Sequence, residues 1–524
     1  MTRSGLSTAL LSGLLGLVLV LSGCDSLSSY NDNPNAPTEA NPNNVLANAQ
    51  RDLHNTLYSG NEMMRGSNLW AQYTTQNFYT TEGSRYGSID FAWENFYNAL
   101  SDLQKVKELS QTAPNGANVS AVATINQVWA YQILTDVYGD VPFGEALQGS
   151  QNRSPAYTPQ SEIYPALIDS LDTALGRMSG SGGPSGDLVY GGDMDKWRKL
   201  ANGLKMRIAL RMSGPNEQRA EDVISDVVNN ATTLQSNDDN AYFQFATSST
   251  HRNSYYDNRI TSGRDDFDVS ERFVEAMKQY GTDDPRLDAY AEQTSNNTSP
   301  CPDGSGNYAG FPYGMEQGEA QSLQSSRPSC NASRPELFWP GGPSGDGDAY
   351  SPIMYYDEVL FIKAEAAERG WIAGNAEDFL ADAIAASIDF YGEATDADIS
   401  SSDPQAQDYI DAVTSEYSSS NWEQVLGEQK WIALYMNDIQ GWSTWRRLDF
   451  GDWIGPPTGG VAGDLQGQYA PLRVDYPDSE YNLNEENVEA AAESQFDNVS
   501  GDNAGSRLWW DTSPPPSTSD AYQP

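Results

Sequence analysis

The chain has 524 residues, in which 73 acidic side chains face 30 basic ones for a formal charge of −43. A surface of that sign repels phosphates and argues against a nucleic-acid partner, and two well-separated histidines, His54 and His251, argue against a multi-histidine zinc centre. The length suits either two or three modest domains or one extended helical scaffold, and the acid excess reads as a solubility adaptation to salty surroundings, with cation collection as the sharper alternative.

Arg3 and the apolar run Leu6 to Leu21 have signal-peptide length and fall short of a membrane span. The run ends in Leu21-Ser22-Gly23-Cys24, which resembles the bacterial lipobox, so residues 1–23 read as a signal peptide and Cys24 as a lipid-bearing N-terminus. Several acyl chains at about 0.8 kcal/mol per methylene would anchor the protein stably to a membrane. The Asn-, Ser- and Pro-rich stretch that completes 24–44 reads as a flexible tether, 45–511 as one folded domain, and 512–524 as a disordered tail. With Cys24 assigned, Cys301 and Cys330 remain as one pair. A bridge between them would contribute roughly 3–4 kcal/mol in an oxidising compartment.

Apolar periodicity predicts helices over Val45–Tyr58 and Phe91–Leu109, with a polar, aromatic-rich stretch between them at Leu69–Tyr86. Val122, Ile125, Trp129, Ile133 and Val137 form one apolar stripe of a helix that Gly139 ends and Pro142 keeps from resuming. Asp136, Asp140 and Glu145 follow that stripe and pose the question of a catalytic turn; Asp140 is expected instead to bond to nearby backbone N–H groups. Ser179–Gly192 reads as a loop, and Lys196–Met212 as a helix burying Trp197, Leu200, Leu204 and Ile208. Its six basic residues form either an anion-binding face or, as preferred here, a solvated face paired with carboxylates. Ala241–Asp268, which carries Tyr255, Tyr256 and Arg264, is irregular, and Val269–Tyr280 is helical. Thr294–Ser351 lacks any period, and its rings favour an ordered, functional loop. Helices follow at Tyr355–Trp371, Trp422–Tyr435 and Gln440–Asp449.

Several of these segments carry a family resemblance. Asn31 to Pro37 is similar to the N-x-N-P-N-x-P signature of SusD/RagB-like outer-membrane lipoproteins. Ala130 to Leu147, Trp197 to Arg211, Asp284-Pro285-Arg286-Leu287, Glu358 to Ala366, Trp442 to Arg447, Tyr476 to Glu480 and Arg507 to Asp511 resemble further motifs of that family, in its order. The resemblance implies a mainly α fold, a single large helical domain with tetratricopeptide-like helix pairs as scaffold and long irregular loops. It also implies a surface lipoprotein that captures a nutrient, generally an oligosaccharide, and covers a SusC-like TonB-dependent transporter in the outer membrane.

The residues offer little to an enzyme. There is no G-x-S-x-G elbow, no cysteine to spare and no Gly-rich loop followed by Lys. Glycoside hydrolysis by two carboxylates stays open as an alternative, as does capture of peptides. Neither Asp346 with Asp348 nor Asp265, Asp266 and Asp268 completes a calcium loop, and no metal or other cofactor is expected. Ligand contact is expected from rings in irregular segments, namely Tyr79, Tyr86, Tyr308, Phe311, Tyr313 and Trp339, by stacking on a sugar face or a peptide side chain.

Overall fold

The computed structural model describes residues 40–58, 63–180, 182–264, 266–294, 307–326, 333, 335, 347–395, 397–450, 453–495 and 501–512. Among them are twelve helices of eleven residues or more: α1 (Pro42–Leu57), α2 (Trp93–Ser110), α3 (Gly116–Tyr138), α4 (Gln160–Arg177), α5 (Met194–Arg211), α6 (Glu217–Asn230), α7 (Tyr356–Glu368), α8 (Ala376–Ala394), α9 (Pro404–Glu416), α10 (Trp422–Ala433), α11 (Asp438–Leu448) and α12 (Glu485–Gln495). Cys24, Cys301, Cys330 and Trp339 lie outside the described residues, so lipidation and the disulfide stay expectations. The first helix begins at Pro42, inside the stretch read as tether, because proline's fixed φ suits a first helical position.

Consecutive helices pack against one another, α1 on α2, α2 on α3, and onward to α6, then α7 on α8, α8 on α9 and α10 on α11. These are tetratricopeptide-like pairs, and the fold is mainly α as expected. Contacts of α5 with α7, α7 with α10, and α3 with α11 join the two series around one apolar core.

The helix α3 differs from its predicted form. Every residue in it except Ala117 and Ser120 is buried, where a single stripe was expected. Two of its polar residues find partners on neighbouring helices: Gln127 Nε2 donates to Leu100 O at 3.2 Å, and Tyr164 Oη donates to Asp136 Oδ1 at 2.6 Å. Gly139 ends the helix as expected, at φ +100, and a Cβ there would stand 2.2 Å from Gln495 Oε1. Asp140 corrects a second expectation. Its Oδ1 accepts not from its own turn but from the backbone N–H of Gln160, at 2.8 Å, and so caps the start of α4 from twenty residues away.

In α5 the predicted stripe of Trp197, Leu200, Leu204 and Ile208 is fully buried, and Asp193 caps its first turn. The solvated basic face is wrong for half of it. Lys205, Arg207 and Arg211 are buried, and α7 and α3 close over the two arginines with Glu358 and Asp136. The helix read over Val269–Tyr280 is also shorter, at Glu271–Ala276, since Phe267–Val269 is instead a strand paired antiparallel with Thr74–Gln76. That ribbon fixes the loop after Gln76 against the segment around Asp266.

Candidate ligand-binding site

A pocket of about 480 Å³ opens beside this ribbon, lined by Arg65, Gln76, Tyr79, Glu82, Gly83, Ser88, Asp90 and Arg264. Its wall is the loop from Asn77 to Ser88, which curls on its own hydrogen bonds: Arg85 N to Thr80 O at 2.9 Å, Tyr86 N to Gly83 O at 2.8 Å and Ser88 N to Glu82 O at 2.9 Å. Gln76 Oε1 accepts from Ser84 N at 3.2 Å beneath the loop. Glycine at 83 allows this closeness, since a Cβ there would fall 2.2 Å from that same oxygen unless the Gln76 side chain moved. The outer side is tied down by Arg85, which donates to the carbonyls of Gly459 and Gly460 at 2.7 and 2.9 Å and pairs with Glu316 at 2.8 Å.

Tyr79 stands at this pocket with 47% of its surface exposed, among the few large hydrophobic side chains of the described residues left in solvent. Its backbone sits at φ +58, in the left-handed region that a non-glycine residue enters at a cost. Phe78 backs the ring edge-on at 4.6 Å, and the Arg264 guanidinium lies 5.7 Å from its centroid while Arg264 Nε holds Asp266 Oδ2 at 3.0 Å. The arrangement presents one flat ring among hydrogen-bond donors and acceptors of both charges.

Four of the other predicted rings are not at a surface. Tyr86 and Tyr313 are buried; Tyr313 Oη donates to Leu69 O at 2.7 Å and shares a hydrogen bond with Tyr86 Oη at 2.9 Å. Gln72 Nε2 also donates to Tyr86 Oη, at 2.9 Å, and Arg272 bonds Gln72 Oε1 and the carbonyls of Gly455 and Pro456 at 2.5 to 2.7 Å. Burial pushes the Tyr86 phenol up to about 12 against the opposing pull of those hydrogen bonds, so it is neutral. These two rings thus form the floor that carries the Tyr79 loop. Tyr308 is buried with its hydroxyl on Asp288, and Phe311 is buried against Ala320, Met315 and Leu323. The premise of exposed rings therefore fails for Tyr86, Tyr308, Phe311 and Tyr313, and holds for Tyr79.

Sequence reasoning missed Arg65, Gln76, Glu82, Ser88 and Asp90, and noted Arg264 without a role. The available signal was the polar, Gly-containing run around Tyr79. The acids at the end of α3 and just beyond it do not converge on a catalytic site: Asp136 is buried beneath Tyr164, Asp140 caps α4, and exposed Glu145 accepts from Asn152 Nδ2 at 3.2 Å. Of the calcium candidates, Asp265 and Asp346 lie outside the described residues, and Asp268 accepts from Asn77 Nδ2 at 2.9 Å. No cluster of three or more metal-ligating side chains occurs among the described residues. None of the described helices is long and apolar enough to cross a membrane.

Comparison with known proteins agrees with this architecture. Solved structures that match include a chitin-binding protein, with 27% identity, TM-score 0.74, and coverage of 90% of this chain and 100% of that one. A SusD homologue from Bacteroides fragilis matches with 21% identity and TM-score 0.75 over 89% of this chain and 99% of its own. Another from Bacteroides uniformis matches with 22% identity and TM-score 0.73 over 90% and 99%. No curated protein matches. The SusD-like family profile, described as starch-binding and associating with the outer membrane, matches residues 34–477. The chain therefore belongs to the SusD-like family of nutrient-binding proteins that associate with the outer membrane.

Proposed function

We propose that this protein is a lipid-anchored, surface-exposed binder that captures an oligosaccharide at the Tyr79 pocket and hands it to a SusC-like TonB-dependent transporter. The observation that carries the reading is the half-exposed Tyr79 ring, held in a strained backbone conformation at the mouth of a polar pocket. A pyranose ring has an apolar face that stacks on such a ring and hydroxyls that both accept and donate, which matches Arg264, Gln76, Glu82 and Asp90 around it. The likeness to a chitin-binding protein makes oligomers of N-acetylglucosamine the first probes to use. The anchor rests on the lipobox at Cys24, and the transporter on family membership. No catalysis is proposed.

The charges favour a second reading. Two cations, Arg65 and Arg264, and two carboxylates, Glu82 and Asp90, share the lining, which also suits a peptide with charges of both signs. A binding screen of glycans against peptides separates the two. Saturable binding of an oligosaccharide without its turnover supports the proposal, and binding of peptides alone replaces it with the second reading. Sustained glycan cleavage lost on substituting Glu82 or Asp90 would make the protein a hydrolase. Co-purification with a TonB-dependent transporter tests the delivery step.

A further inference from the structure

A second cavity, of about 10 Å³, lies inside the scaffold between α5, α7, α10 and α11, among Arg207, Arg211, Lys430, Arg447, Glu358 and Thr444. All six are buried. The charges around it do not balance. Glu358 takes Arg207 through both oxygens, at 2.6 and 2.5 Å, and Glu365 takes Arg447 at 2.6 and 2.5 Å. Asp136 Oδ2 stands 3.4 Å from Arg211 Nε. Among the described residues, three carboxylates thus form the ion pairs seen at four lining cations, and Glu365 is also shared with Arg369 at 3.0 Å. Lys430 makes no ion pair among the described residues. Arg207 Nη1, on a side chain 2% exposed, has no hydrogen-bond partner.

A buried cation without a counter-charge costs several kcal/mol, and a neutral water molecule would supply hydrogen bonds without cancelling that charge. A metal cation would be repelled. The volume admits one water-sized particle and leaves out sulfate, phosphate or a carboxylate. The chain as a whole is strongly acidic, but the four cations act at contact range whereas the surface acids are screened beyond roughly 8–10 Å. We infer that this cavity is a structural halide site, which holds one chloride ion between Lys430, Arg207 and their neighbours. Burial brings the Lys430 ammonium down to about 8, with Arg447 and Arg211 pushing the same way and Glu358 and Glu365 opposing.

Crystals of the full chain grown in sodium bromide, with anomalous data at the bromine edge, test the site directly. The expected result is a bromide peak enclosed by Lys430 and Arg207. In solution, the thermal midpoint is expected to rise by roughly 1–3 °C per tenfold chloride over gluconate at matched ionic strength. Lys430→Met should lose both the peak and that chloride-specific rise. A cavity that shows no anomalous signal, or bromide only at the outer surface, would overturn the inference even if the variant fails to fold. Superimposable chloride and gluconate curves for the unmodified chain would also overturn it.

Discussion

The interior around Arg207 and the rim around Arg264 are assembled from the same kinds of side chain, and they serve opposite ends. In the interior, Arg207 and Arg447 grip Glu358 and Glu365 from helices far apart in sequence, and all four side chains are buried. At the rim, Arg264 holds a neighbouring carboxylate two residues away and keeps a face over Tyr79. A buried pair locks elements together because losing either member strands a charge in a poor solvent. A rim pair is solvated already, so its groups stay available to a ligand. Residue type alone does not separate scaffold from site; burial does.

The comparison is broken most forcefully from the inside. Glu365→Ala should destabilise the fold by about 3–5 kcal/mol in chemical unfolding, since it removes the carboxylate that holds buried Arg447 through both oxygens. Burial alone would raise the Glu365 carboxyl, but Arg447 and Arg369 bring it down to about 2. Its stabilising contribution is therefore present above the ordinary value of 4.5 and is lost as pH falls from there towards 2.

Glu428 should show the reverse sign. Burial pushes it up to about 7 against hydrogen bonds from Gln424, Gln279, Tyr280 and Trp453. The folded state thus holds a proton that the unfolded chain gives up near 4.5, and stability falls as pH rises from about 4.5 to about 7. Glu428→Gln should flatten that fall, by on the order of 1–3 kcal/mol across the window, when unfolding is followed against pH.

A smaller effect sharpens the boundary between scaffold and rim. Asp140→Ala removes the cap on α4 and should cost about 1–2 kcal/mol of stability while leaving ligand affinity unchanged. Loss of binding in a stable Asp140→Ala protein would place the site along α3 and α4 instead.

Much of the scaffold was legible because the apolar period of α1, α2, α5, α7 and α10 is regular and their buried stripes are large. The helices α4, α6, α8, α9 and α12 were not picked out. Pro165 interrupts the reading of α4 although it sits early in that helix, and α12 buries only Val488, Ala491 and Ala492. The site was legible at one residue. Tyr79 and Tyr86 look alike in sequence, both rings in a polar, glycine-containing run, and both even share a left-handed backbone. Tyr86 is drawn inside by Gln72 and Tyr313, the second of them 227 residues away, and Arg272 fixes Gln72 from 200 residues away. Such long-range closure leaves no local periodic trace.

The central claim is that the Tyr79 pocket is where ligand binds. Calorimetric titration of the intact and Tyr79→Ala proteins with an N-acetylglucosamine oligomer tests it most directly. Removal of the ring should weaken binding roughly tenfold or more, about 1.4 kcal/mol or above, with the unfolding midpoint unchanged. Equal affinity in the two proteins would contradict the account and move the site elsewhere on the chain.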